Sequence, residues 1–191
     1  SNKLHRMGDI HLVSKVFLHL YNISKMSEQS LAQSSLNKFF QQGIGSICLK
    51  DAYHEPNLQR SEKIFDIVRQ SIDQRPNKDK IVGTETFWSL VFAAEYIFNQ
   101  TPAGVTVSDY GTFYRKVERL NNTLIRNSKR AQGKLRESLE SQGKLSEEEI
   151  DEKCRDDNFY WRWVQRNELG AARSKRCAAF QNKLANWCKS S

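Results

Sequence analysis

The residues best equipped for chemistry lie between positions 115 and 166. At about 100° per residue on a helix, Arg115, Arg119, Arg126 and Arg130 fall in one strip. Lys116, Lys129, Lys134 and Arg136 flank it, and Glu118 is the one acid between 115 and 136. At roughly 1.5 Å per residue the strip is about 22 Å long, which spans about six phosphates at roughly 3.4 Å per strand step. Arginine suits that ligand because its planar fork binds a phosphate through two parallel hydrogen bonds. The competing arrangement is internal. Residues 147–157 carry seven acids against Lys153 and Arg155, and folding them back onto the strip would neutralise it.

The run Phe159, Tyr160, Trp161, Arg162, Trp163, Val164, Gln165, Arg166 is the second candidate. On one helix its four aromatics spread over about 200°, too wide for a single buried face. Trp161 is therefore expected to be exposed or covered by a partner. Tyr160, Trp161, Arg162 and Arg166 suit either of two uses. Aromatics beside arginines stack on unpaired bases, and they also form contacts between domains; the domain contact leads.

Other groupings are weaker. His11, Lys15 and His19 share a helix face without an accompanying carboxylate, which reads as surface and not as a metal site. Asp51, His54 and Glu55 are ligand-type residues in a polar stretch, an ordinary occurrence. Cys48, Cys154, Cys177 and Cys188 are scattered, without a C-x-x-C pair. They read as small apolar side chains in a reducing, cytoplasmic setting, with no local zinc site. The chain contains no phosphate-binding G-x-x-x-x-G-K loop, no G-x-S-x-G elbow and no H-E-x-x-H pair. No catalytic residue, metal or cofactor is expected, and binding or support is expected instead of chemistry.

The elements that must position these residues are helices. Of 191 residues 38% are hydrophobic, with 10 Phe, 6 Tyr and 4 Trp, while only 3 Pro and 9 Gly interrupt the chain. That excludes a disordered chain and favours long helices. No run approaches the roughly 18 apolar residues of a membrane span. Charge is uneven: residues 1–109 carry a net +1 and residues 110–191 a net +7, making up the total of +8. Such asymmetry marks a local footprint for a polyanion.

An amphipathic helix is predicted from Asp9, with Ile10, Val13, Val16, Phe17, Leu20 and Ile23 on its apolar side. A second opens at Ser27 and buries Leu31, Leu36, Phe39 and Phe40. Residues 46–58 read as a loop, with an extended piece at Ile47 to Leu49. Ile64, Ile67, Val68 and Ile72 then define a helix that stops before Pro76. The segment 84–100 is apolar on every side and must be the buried central helix. The longest helix runs from Ser108 to about Gln142 on a narrow seam of Tyr110, Phe113, Val117, Leu120, Leu124, Ala131, Leu135 and Leu139, with a gap at Ser128. Gly143 ends it, and Ser146 with Glu149 forms a capping box for the next helix. Leu169, Cys177, Phe180, Leu184 and Trp187 repeat along the last. The expected architecture is all-α, six to seven helices around helix 84–100. Residues 1–107 form a helical core, and 108–191 form a basic arm packing on it. The opening Ser1-Asn2 looks like a cleaved tag, so the chain reads as part of a longer protein.

Two resemblances add expectations. Arg6-Met7-Gly8-Asp9-Ile10-His11 fits the R-x4-H pattern of the helical HEPN ribonucleases, which would imply RNA cleavage by Arg6 and His11. The stretch Arg6 to Val13, running on to Phe17-Leu18-His19-Leu20-Tyr21, resembles the helical region downstream of the ParB-like nuclease core in bacterial restriction and phage-defence proteins. So do Leu36-Asn37-Lys38-Phe39-Phe40, Thr86 to Ala94, and Arg173 to Leu184. That family's D-G-Q-x-R signature is missing, and Ser14-Lys15 stand where its arginine is expected, so no catalytic residue carries over. The resemblance implies a non-catalytic module that supports a nuclease core and contacts DNA or another part of its parent protein. A protein-interaction or oligomerisation scaffold is the alternative.

Overall fold

A computed structural model describes residues 12, 14–20, 55–79, 81–100, 107, 109–154, 159–167 and 169–188. These form seven helices and no strand. They are α1 (residues 14–20), α2 (Glu55–Asp73), α3 (Thr84–Gln100), α4 (Tyr110–Gln142), α5 (Glu147–Cys154), α6 (Tyr160–Gln165) and α7 (Gly170–Cys188). The expected second helix, the extended piece at Ile47 to Leu49 and the Arg6/His11 pair lie outside the described residues, as do Asp51 and His54.

Helix α3 is the centre. Leu90, Val91, Phe92, Ala93 and Ala94 are all at 0% exposure, as a helix apolar all round requires. It packs on α2, α4 and α7. Val16, Leu18 and Leu20 of α1 join the same core, with Ile64, Ile67 and Val68 of α2 and Cys177, Phe180 and Leu184 of α7. The core thus draws on both ends of the chain.

Helix α2 begins at Glu55, inside the stretch expected to be a loop. Pro56 misled that reading. In the first turn its missing N–H has no helical partner to lose, so proline is tolerated there.

Helix α4 begins where Asp109 caps it, accepting a hydrogen bond from the Thr112 N–H at 2.9 Å. It ends at Gly143, whose φ of 59° lies in the left-handed region that glycine enters without a steric penalty. Its first turn lies against the end of α2: a Cβ placed on Gly111 would come within 2.7 Å of the Gln74 carbonyl oxygen. Tyr114, Val117 and Asn121 are buried, and Leu124 and Ile125 pack against the core. Beyond them the seam opens, with Ala131 exposed and Leu135 at 36% exposure. The gap in the seam has a use, because Ser128 Oγ accepts the Trp161 backbone N–H at 3.3 Å.

The capping box forms as the sequence predicts. Glu149 Oε2 accepts the Ser146 N–H at 2.8 Å, and Ser146 Oγ accepts the Glu149 N–H at 3.3 Å. Leu169, expected on the apolar side of the last helix, is 51% exposed. It precedes α7 and lies outside the helical periodicity.

Candidate nucleic-acid interface

The decisive geometric question is whether the acids of α5 cover the arginine strip of α4. Helix α5 does fold back along α4, anchored by Ile150 and Cys154 and by a hydrogen bond from Gln132 to the Cys154 carbonyl. Among the described residues only Asp151 of these acids forms an ion pair, and Asp156 and Asp157, the last two of the seven, lie outside the described residues. Arg136 donates from Nη1 to Asp151 at 2.7 Å and from Nε to Glu140 at 2.8 Å. Arg115, Lys116, Arg119, Arg126, Lys129, Arg130 and Lys134 are all exposed. Among the described residues Arg119, Arg126, Arg130 and Lys134 form no ion pair. Arg115 donates to the Thr112 hydroxyl at 2.9 Å, and its charge helps to hold the Asp109 carboxyl below its ordinary value after the Thr112 backbone and hydroxyl hydrogen bonds. Arg119, Arg126, Arg130 and Lys134 therefore face outward without a carboxylate partner among the described residues, and like charges crowded on one helix face repel each other unless a counter-charge arrives.

The aromatic run divides. Tyr160 is 6% exposed and its hydroxyl donates to Asn121 Oδ1 at 3.1 Å. It belongs to the interior, so the expectation that it meets a partner is corrected: the first turn of α6 turns it onto α4. Trp161 is half-buried. Its ring carries the Arg162 guanidinium at 4.2 Å and has the Lys129 ammonium 5.8 Å away. Trp161 thus sits beside the strip, next to Lys129, and carries Arg162 on its ring. Arg166 is exposed at the end of α6.

Below this surface lies a polar network that sequence reasoning missed. Arg176 of α7 is 1% exposed, donating to Asn167 Oδ1 at 3.0 Å, the Glu85 carbonyl at 2.7 Å and Ser89 Oγ at 3.2 Å. Ser89 and Tyr160 both donate to Asn121 Oδ1, at 2.9 and 3.1 Å. This chain of contacts ties α7 to α3, α4 and α6. It sets the angle at which α4 and α6 leave the core, and hence the place of Trp161 beside Lys129.

A second buried group joins α1 to the bundle. Glu95, 1% exposed, accepts Arg60 Nη2 at 2.6 Å, and Arg60 also reaches the Leu20 carbonyl. Arg173, 2% exposed, donates from Nε to His19 Nδ1 at 3.1 Å. Burial pushes the Arg173 guanidinium down to about 10. His19 is 3% exposed and held edge-on to Trp88 and Phe92, so its expected place on the surface is corrected. Burial also lowers the His19 imidazole below its ordinary value. Burial pushes the Glu95 carboxyl up, but the His19 and Arg60 contacts outweigh it and hold it below the ordinary glutamate range.

His19, Glu95 and Cys177 each bring one ligand-type atom to within 4.8 Å of one another. Their surroundings do not fit a cation. A guanidinium can only donate, so Arg173 forces Nδ1 to accept and leaves the hydrogen on Nε2, the atom a metal would need. Burial raises the Cys177 thiol, which keeps it protonated, whereas a metal ligand must be thiolate. Arg60 already engages Glu95. The cluster is a buried ion-pair network, and removing any one member would strand the others.

No signal in the sequence separated Arg173 and Arg176 from surface cations, and both were counted in the +7 of residues 110–191. With both inside, the outward positive charge concentrates further on α4. Among the described residues no helix is long and apolar enough to cross a membrane. Compared with known protein families, curated proteins and solved structures, the chain matches none.

Proposed function

We propose that this chain is a non-catalytic helical module that binds nucleic-acid backbone along the outer face of α4. It would support a DNA-targeting protein of the restriction or defence type that the sequence resembles. The observation that carries the binding role is the exposure of Arg115, Arg119, Arg126, Lys129, Arg130 and Lys134 while, among the described residues, Arg136 is the one α4 cation that an acid of α5 engages. Phosphates supply the missing counter-charge, and release of their condensed counterions supplies the free energy. Contacts to phosphate carry no sequence information, so the binding is independent of sequence.

Oligonucleotide binding measured across a salt series tests this. The logarithm of affinity should fall linearly with the logarithm of salt, and each of Arg119→Gln, Arg126→Gln and Arg130→Gln should flatten the slope by about 0.7 to 0.9. Binding whose slope ignores these substitutions, or no binding at low salt, overturns the reading. An aromatic docking surface for another protein would instead show little salt dependence and would lose its partner with Trp161→Ala.

A further inference from the structure

We propose that the nucleic acid taken by this surface is single-stranded, with an unpaired base stacked at the Trp161–Arg162 pair while its flanking phosphates lie on the α4 strip. This rests on the backbone-binding reading and narrows it to one ligand class.

The first observation is the chemistry beside the strip. The Arg162 guanidinium lies 4.2 Å from the Trp161 ring centroid, and both side chains are half-buried at the flank of Lys129. A stacked guanidinium and indole offer a π-surface that a base can use only when it has left its own stack. The Trp161 Nε1 and Arg162 Nε hydrogens are buried without an acceptor among the described residues. Buried donors left unsatisfied are costly, and a base carbonyl or phosphate oxygen entering beside the ring satisfies them with a small shift. The Lys129 ammonium lies 5.8 Å from the Trp161 ring, so an anionic ligand is favoured there over a neutral one.

The second observation is the sign change along α4. The cations run from Arg115 to Lys134, about 28 Å at roughly 1.5 Å per residue. Then Glu137, Glu140, Glu147, Glu148, Glu149 and Glu152 are exposed around the elbow between α4 and α5. A duplex is stiff over about 150 base pairs. Laid along the strip, it would carry its phosphates straight over these carboxylates, and laid across α4 it would meet fewer of the cations. A flexible single strand can follow the cations and turn aside at Trp161, beside Lys129, before it reaches the carboxylates.

The test compares a single strand of about 12 nucleotides, within the 4–16 that such surfaces cover, with a duplex of the same sequence. Affinity is read by anisotropy of a labelled oligonucleotide at fixed low salt, and tryptophan fluorescence is read in parallel. The single strand should bind more tightly. Trp161→Ala should weaken single-strand binding about 5- to 150-fold, the range of one stacked base, and leave duplex binding nearly unchanged. Trp161→Phe keeps a stacking ring, so it should restore most of the affinity while abolishing the fluorescence quench seen with the unaltered protein. If Trp161→Ala loses its helical circular dichroism, Arg162→Gln carries the same comparison. Equal or tighter duplex binding, or equal losses on both ligands, overturns the single-strand proposal but leaves the backbone reading intact. Failure of both ligands to bind at any salt removes the backbone reading itself.

Discussion

Glu95→Gln tests whether the buried charge network is a structural requirement of the fold. The carboxylate is 1% exposed and accepts Arg60 Nη2 at 2.6 Å, while Arg60 is 16% exposed. Removing one partner of a buried ion pair costs about 3–5 kcal/mol, because the remaining charge stays desolvated and uncompensated. Two features place this case near the lower end, about 3 kcal/mol. Arg60 retains some access to water, and the glutamine oxygen can still accept its hydrogen bond. At about 2–4 °C per kcal/mol for a chain of this size, the midpoint should fall by about 6–12 °C. Urea unfolding followed by helical circular dichroism gives the free energy, and a thermal melt gives the midpoint. A double-mutant cycle with Arg60→Met isolates the pair. The double variant should be more stable than Glu95→Gln alone, since an apolar side chain no longer needs the carboxylate. A loss below about 1 kcal/mol, or simple additivity in the cycle, would refute the reasoning that these charges depend on each other.

Three further outcomes are expected. Acid should destabilise the fold in two stages. The folded His19 imidazole lies below its ordinary 6.5, so unfolding takes up a proton and stability falls as pH drops below 6.5 toward the folded value. Glu95 is held below its ordinary 4.5, so its contribution is present above that value and fades as pH falls through the folded pKa. Protonating His19 would place a hydrogen on Nδ1 against the Arg173 donor, with Glu95, Arg60 and Cys177 as the other facing groups. Urea unfolding at stepped pH should show the upper stage in the unaltered protein and lack it in His19→Asn; an unchanged upper stage rejects the assignment. Gly111→Ala should destabilise by about 1–3 kcal/mol, the usual range for overpacking, because its Cβ would meet the Gln74 carbonyl oxygen at 2.7 Å. Equal or greater stability in the same assay would show that α2 and α4 can part freely. Asp109→Ala should lower the melting midpoint through loss of the cap of α4, and a melt that does not move would count against that hydrogen bond.

The helices themselves were legible because their signals are local. A buried helix at 84–100 follows from apolar residues on every side, and the structure gives Thr84–Gln100. Gly143 and the Ser146–Glu149 box announced an end and a beginning through side-chain chemistry within four residues. The arginine strip follows from a period of 3.6 alone. Pro56 misled because proline reads as a break except in the first turn, and only the helix's own start tells the two apart.

Partnership was not legible. Arg173 and His19 stand 154 residues apart, and each by itself has the pattern of a surface residue. Only the packing of α7 beside α1 and α3 makes Arg173, Arg176, His19 and Glu95 interior, and only the turn into α6 puts Tyr160 inside while leaving Trp161 at the edge. The same holds for the strip. The direction in which its arginines point along one helix follows from residue order alone, since backbone geometry repeats every turn. Whether the five acids of α5 would neutralise them depended on the angle between α4 and α5, which is set by the packing of Ile150 and Cys154 across a turn. Charge pairing is a matter of a few ångströms, and those distances exist only once helices have been laid against one another.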